Sequence, residues 1–338
     1  MWFRGLWVVG SFLWAALLHA EGLAEGLAAA RLGVIYSLDD PSSRQVASYY
    51  AKQRLIPSEN LIGIHIPNAG VITPEAFAPI RRQVIERLPI AVQSLVLIWS
   101  APYAVGCMSV TTAFAAGYRS DFCLPGCSRT ALNPLFNTEG WLPADTVGWW
   151  PAMLLPRADV ALAHAVIDRG IAGDGTRPPG TLYLVRTTDG ARNVRAATYE
   201  EAQLVLAHRL TVVGLSAPVN RDIPDAIGYF TGAAQVEELP QLHFRPGAIA
   251  DHLTSYGGVL QGSRQMSAVA WLQQGATGSY GSVSEPCALV EKFPDIRVLF
   301  AHYTRGETLL ESYWKSVAMP GQGLFIGEPL SRPFAVRD

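Results

Sequence analysis

The chain has 338 residues, of which 49% are apolar and 16% charged, with 26 Lys and Arg set against 28 Asp and Glu. A charged share this far below the roughly 25% of an ordinary soluble protein means that much of the sequence is destined for burial. The net charge of −2, with no basic cluster and no aromatic-basic interleaving, excludes a nucleic-acid surface, which works by neutralising phosphates with lysine and arginine.

The chain opens Met1-Trp2-Phe3-Arg4-Gly5, runs without charge from Leu6 to Leu18, and continues His19-Ala20-Glu21. A short basic start, an apolar stretch and a small residue ahead of a charged one is the layout of a secretory signal peptide, here residues 1–20, with Ala20 or Ala24 as cleavage position. The run falls short of the roughly 20 apolar residues of a comfortable span, although an uncleaved anchor is the alternative reading. No later stretch reads as a membrane span. The expectation is an exported protein, periplasmic or extracellular, whose remaining chain forms one α/β domain over residues 31–338.

Strands and helices then alternate. Leu32 to Ser37 is a short apolar strand, and Asp40-Pro41 starts a helix, the carboxylate accepting free amides and the proline lacking the donor that would be orphaned. That helix places Val46, Tyr49 and Tyr50 on one face. A strand over Leu61–Ile66, a second helix from Thr73-Pro74 to Leu88 and a strand over Ser94–Trp99 complete a βαβαβ order. Continuous apolar strands between amphipathic helices demand a largely parallel sheet covered on both faces.

Residues 101–150 break this rhythm with prolines, Trp141, Trp149, Trp150 and three of the four cysteines, Cys107, Cys123 and Cys127. So long an irregular stretch reads as an insertion over one edge or end of the sheet. An even cysteine count in an exported chain predicts at least one local disulfide there, with connectivity open and Cys287 as a further partner. A zinc site on Cys123 and Cys127 is the sharper alternative, but no second ligand pair lies nearby.

Alternation resumes with a helix over Asp159–Arg169, a strand over Thr181–Thr187, and a helix started by a Thr198–Glu201 capping box. Strands over Ala226–Thr231 and Ala248–Leu253 follow, then a helix over Met266–Gln274 closed by Gly275. A glycine-rich strand spans Thr277–Val283. A helix over Leu309–Val317 and a strand over Gly323–Gly327 end the chain.

In open parallel sheets ligands bind beyond the carboxyl ends of the strands. The polar residues that follow the strands are Asp39 and Asp40, Ser100, Asp189 with Arg192 and Asn193, Asp251 with His252 and Ser255, Glu285 with Cys287, and Glu328, expected along one rim. His252 and Ser255, followed by Gly257-Gly258, suit a base beside a nucleophile with backbone able to approach a ligand, while a capping serine and a packed histidine are the plainer alternative. Cys287 near His252 could supply a thiolate, or else a disulfide half or a buried apolar group. Glu285 could present a carboxylate to a metal or amine, or start a helix. Asp39, Asp189, Arg192 and Asp251 are candidate ligand-binding residues, Arg192 for an anion. Asp251, His252 and Glu285 as a metal set lack ligand spacing. The Gly-x-Gly at Gly321 and Gly323 precedes a strand, so no dinucleotide loop and no cofactor is read.

The stretches Ser37–Lys52, Gly247–Gly258, Trp271–Pro286, Lys292–Pro294 and Gly321–Pro329 resemble a family of exported bacterial proteins of unknown function. More distantly, the C-terminal half is similar to caspase-like cysteine peptidases of the gingipain type: a strand with a polar end, Gly-Ala-x-Gly-x-x-Gly from Gly275, a helix with Tyr303 and Gly306, and a closing Gly-Glu-Pro. This resemblance implies a caspase-like or flavodoxin-like three-layer sandwich. Those peptidases use a His-Gly after one strand and a Cys after the next; here the matching ends are Phe230-Thr231-Gly232 and Thr254-Ser255. The resemblance therefore implies a hydrolase working without the usual pair or, alternatively, a non-catalytic protein that binds a small molecule, peptide, glycan or partner protein on the same frame.

Overall fold

The computed structural model describes residues 26–123, 127–140, 144–156 and 159–336, so the expected signal peptide lies outside the described residues. The chain forms β1 (Leu32–Ser37), α1 (Pro41–Arg54), β2 (Leu61–Ile64), β3 (Val71–Ile72), α2 (Pro74–Arg87) and β4 (Ser94–Ile98). Next come β5 (Ala104–Val105), β6 (Met108–Ser109), α3 (Val110–Ala116), α4 (Ala144–Val147), β7 (Ala152–Leu155) and α5 (Val160–Gly173). The remainder is β8 (Thr181–Arg186), α6 (Tyr199–Leu206), β9 (Thr211–Ser216), β10 (Ile223–Thr231), β11 (Leu242–His252), α7 (Val269–Gln274), β12 (Gly278–Ser282), α8 (Ile296–Tyr303), α9 (Leu309–Ser316) and β13 (Gly323–Gly327).

Ten strands make one sheet in the order β2-β1-β4-β7-β13-β12-β11-β10-β8-β9, and β3, β5 and β6 make a small second one. β2, β1, β4 and β7 pair in parallel, as do β12, β11, β10, β8 and β9. β13 lies between these groups, antiparallel to β12 from Gly278–Gly327 to Ser282–Gly323, and joins β7 through one bridge of parallel type at Ile326 and Leu154. Contacts at the strand ends fix the overall directions. Beyond β12 the Ser284 hydroxyl donates to the carbonyl of Cys107, in the loop beyond β4. Ser109, also beyond β4, donates its amide to Gly321 ahead of β13, whereas Glu328 after β13 receives Arg54 from the foot of α1. β13 therefore runs against both neighbouring groups, its bridge to β7 being a local contact, and the other nine strands share one carboxyl edge.

Burial explains the strand sequences: every residue of β4, β7, β12 and β13 is buried, so neither face of these strands meets water. α5 packs against α1, α7 and β11, while α2 and α3 meet through Phe77 and Phe114, whose rings stand edge to face at 5.0 Å. The start signals act as read: Asp40 accepts from the Ser42 amide ahead of Pro41, Thr73 from Ala76 and Asp159 from Ala161.

Several expectations are corrected. The sequence reading places no strand at β7 or β9, and the helix that the resemblance implies around Tyr303 and Gly306 is α8, which ends at Tyr303, ahead of Gly306. β7 is four residues between Pro151 and Pro156, too short for any period to show. The Thr198–Glu201 capping box does not form, because a 3₁₀ turn over Asn193–Thr198 runs straight into α6 and the Thr198 hydroxyl donates to the Arg195 carbonyl at 2.9 Å. A full capping box is instead found at α9, between Thr308 and Glu311. The described residues of the 101–150 stretch hold more regular structure than expected, namely β5, β6, α3 and α4, with α3 capped by Ser109. Cys107 bonds to Cys123 within this stretch, and Cys127 bonds to Cys287, tying it to the loop after β12. Glu328 leaves the shared rim because β13 is reversed; buried at the opposite edge, it accepts hydrogen bonds from Tyr50 and Arg54.

Candidate functional site

His252 ends β11 and is 1% exposed. The Trp271 indole N–H donates to its Nδ1 at 2.9 Å, so the ring hydrogen sits on Nε2, which lies 3.0 Å from the Met266 carbonyl oxygen and donates to it. Both nitrogens are committed and no lone pair remains for a base. Burial pulls its pKa down to about 4, which keeps the ring neutral. Ser255 is half-buried, and no hydrogen bond joins its hydroxyl to His252 among the described residues.

The paired glycines serve a different purpose from the one expected. A Cβ on Gly258 would overlap the Gly281 carbonyl, and one on Gly281 would overlap the Gly257–Gly258 backbone. Here the backbone approaches β12, not a ligand. The Gly258 amide donates to Ser282, and the Ser282 hydroxyl donates to the carbonyls of Thr254 and Ser255, each at 3.0 Å. Cys287 carries no thiol because it is bonded to Cys127, which corrects the thiolate reading. Glu285 is exposed, and one of its oxygens accepts the Cys287 amide at 2.8 Å.

Asp251 and His252 are adjacent in a strand and so point to opposite faces. His252 meets Trp271 of α7, whereas Asp251 faces Arg195 at 2.5 Å, the guanidinium also donating to the Thr231 carbonyl at 3.2 Å. Burial pushes the Asp251 carboxyl up, and the pairing with Arg195 opposes this. The alternation separates the residues of the Asp251–His252–Glu285 metal set, and no group of three or more His, Cys, Asp or Glu among the described residues could hold a metal ion. Asp189 pairs with Arg192 at 2.7 Å. Partial burial would raise its pKa, but the hydrogen bonds from Arg192 outweigh that and hold it low. Arg192 reaches on to Thr254 Oγ1 at 3.0 Å, and Thr254 donates to Gln265 at 2.8 Å. Asp189, Arg192 and Thr254 thus form one network across β8 and β11.

Asp39 belongs elsewhere on the same rim. β1 leads to β2 on one side, and the chain then crosses to β4 on the other, so the crevice between β1 and β4 is a topological switch point. A pocket of about 220 Å³ opens there, lined by Ser37, Asp39, Asp40, Asn68, Trp99 and Ser100 among others. Asp39 is exposed and takes a hydrogen bond from His65 at 2.7 Å. Asp40 caps α1, and the Trp99 indole donates to the Pro102 carbonyl at 2.9 Å. Ser100 is 7% exposed, and its hydroxyl has no partner among the described residues. His65 and Asn68 are not among the residues the sequence points to: β2 ends at Ile64, two residues short of the strand read over Leu61–Ile66, so the polar side chains beyond it are not marked by the pattern.

No protein-family model and no curated protein matches the chain. Among solved structures, the chain is similar to one described as a protease, with 10% identity over 90% of this chain and 78% of that one, at a TM-score of 0.49. It is also similar to the complex of Porphyromonas gingivalis RgpB pro- and mature domains, with 9% identity over 89% of this chain and 79% of that one, at a TM-score of 0.49.

Proposed function

We propose that this is an exported, non-catalytic binding protein that takes a glycan terminus in the crevice between β1 and β4. The observation that carries this reading is the 220 Å³ pocket at the switch point, whose wall holds the exposed Asp39 together with Asn68. Such a set offers acceptors and donors to vicinal hydroxyls without a nucleophile beside a free base. The commitment of both His252 nitrogens and the bridging of Cys287 favour binding over hydrolysis. Export is supported by two disulfides, which persist in oxidising compartments, and no helix among the described residues is long and apolar enough to cross a membrane.

The test is a glycan array probed with the purified protein, followed by titration calorimetry on the strongest hit. Asp39→Ala with Asn68→Ala is expected to weaken binding at least about tenfold, the loss of one or two good hydrogen bonds. Equal binding by the double variant, or no glycan bound at all, overturns the reading. Labelling of Ser255 by a fluorophosphonate probe, lost in Ser255→Ala, would restore the hydrolase reading instead.

A further inference from the structure

The two edges of the ten-stranded sheet are treated differently. At one edge β2 is four residues long, three of them buried; Arg87 of α2 donates to the Gly63 carbonyl at 2.8 Å, and α2 packs alongside. At the other, β9 is Thr-Val-Val-Gly-Leu-Ser, with no buried residue, no charge and no proline, in unbroken register with β8 from Thr181–Thr211 to Arg186–Ser216. Natural sheets blunt such edges with charges, prolines, bulges or a cover, because unpaired N–H and C=O groups are a template for another strand. β9 has no charge, proline or bulge, and α6 packs against one of its faces without bonding to its outer backbone. Among the described residues, no side chain donates to or accepts from its backbone, and the backbone bonds of its two flanking residues, Leu210 to Leu206 and Ala217 to Arg186, run back to α6 and inward to β8.

A second feature lies at the start of the same edge. A groove of about 460 Å³ begins where β8 and β9 begin, lined by Arg177, Gly180, Arg209, Thr211, Thr304 and Phe334 among others, with no acidic residue in its wall. Arg177 and Arg209 are both exposed, and neither has an ion pair among the described residues. The edge therefore carries an unpaired strand and, at its amino end, two unneutralised guanidinium groups.

We propose that β9 receives an extended peptide as a further, antiparallel strand, with the free carboxyl terminus of that peptide seated between Arg177 and Arg209. Antiparallel addition is the more stable pairing, and it brings the carboxyl end of the incoming strand beside Thr211, where the groove opens. Main-chain hydrogen bonds to β9 supply affinity for any extended segment, and the arginines select a terminal carboxylate, which a guanidinium can hold through two parallel hydrogen bonds. The partner class is a protein or peptide whose last residues are extended, uncharged in side chain and free at the carboxyl end. This site is independent of the crevice at Asp39.

The experiment selects binders to the purified protein from a random heptapeptide library displayed with free carboxyl termini. Selected peptides are expected to bind at least about tenfold more weakly as carboxamides, and equally weakly to the R177E/R209E variant, whose thermal unfolding should be unchanged because both side chains are exposed. Amide exchange at residues 211–216 is expected to slow when peptide binds. No enrichment over the double variant, equal binding of the carboxamide, or protection elsewhere overturns the proposal. So does a concentration-dependent dimer with 211–216 protected in the absence of peptide, which would make a second copy the occupant. If R177E/R209E unfolds, R177Q and R209Q tested singly make the same comparison.

Discussion

The imidazole of His252 sits between an indole donor and a carbonyl acceptor, and burial lowers its pKa from the ordinary 6.5 to about 4. Above pH 6.5 the ring is neutral in both folded and unfolded chains. As pH falls from 6.5 towards 4 the unfolded chain takes up a proton that the folded one refuses, so stability is lost, by about 3 kcal/mol once both values are passed. Urea unfolding at about pH 7.5 and about pH 4.5 should show this fall, and His252→Gln should flatten the part due to this ring while lowering stability at the higher pH. The neighbouring side chain poses a different problem. Asp251 and Arg195 are 1% and 3% exposed, and removing either leaves a buried charge unpaired. Asp251→Ala and Arg195→Ala should each cost about 3–5 kcal/mol, whereas Arg195→Met with Asp251→Leu should recover much of that loss in chemical denaturation.

The junction between the loop after β11 and strand β12 depends on backbone lying against backbone. Gly257, Gly258 and Gly281 are all buried, and the Gly258 amide bonds to Ser282 across this contact. Gly258→Ala should force β11 and β12 apart at their carboxyl ends and cost about 3 kcal/mol, visible as a lowered melting temperature and faster amide exchange over both segments. The start of α9 offers a milder case. Its Thr308 side chain accepts from Glu311, and Glu311 in turn accepts from the backbone of Thr308 and of Leu27, which fastens the entry to β1. Thr308→Ala should cost about 1–2 kcal/mol, with Glu311→Ala costing more because the Leu27 amide also loses its partner.

Two parallel groups of strands, joined by the reversed β13, are held together by more than the sheet. Cys127 in the insertion bonds to Cys287 after β12, closing a loop with a sequence separation of 160 residues. A cross-link over so long a span restricts the unfolded chain strongly, and Cys127→Ser with Cys287→Ser should lower unfolding stability by about 2–4 kcal/mol. Because Cys287 serves as a staple, the same variant should leave glycan binding at Asp39 intact, measured by calorimetry.

The α/β class was legible from residues 32–99, where uninterrupted apolar runs and helix-start pairs such as Asp40-Pro41 are local signals, decided by neighbours a few residues away. The closing strand Gly323–Gly327 was legible for the same reason. β9 was not, because an edge strand is half-exposed and carries no strong pattern, and β7 was too short to show one. Of the candidate residues, sequence could collect polar side chains at strand ends but could not say what each would face. Whether His252 is a base depends on Trp271, whether Cys287 is a thiol depends on Cys127, and whether Glu328 shares the rim depends on the direction of β13. Patterns along the chain settle which segments become strands and helices. The pairing of side chains and the order and direction of strands arise from contacts between residues far apart in sequence, which only the packed molecule brings together.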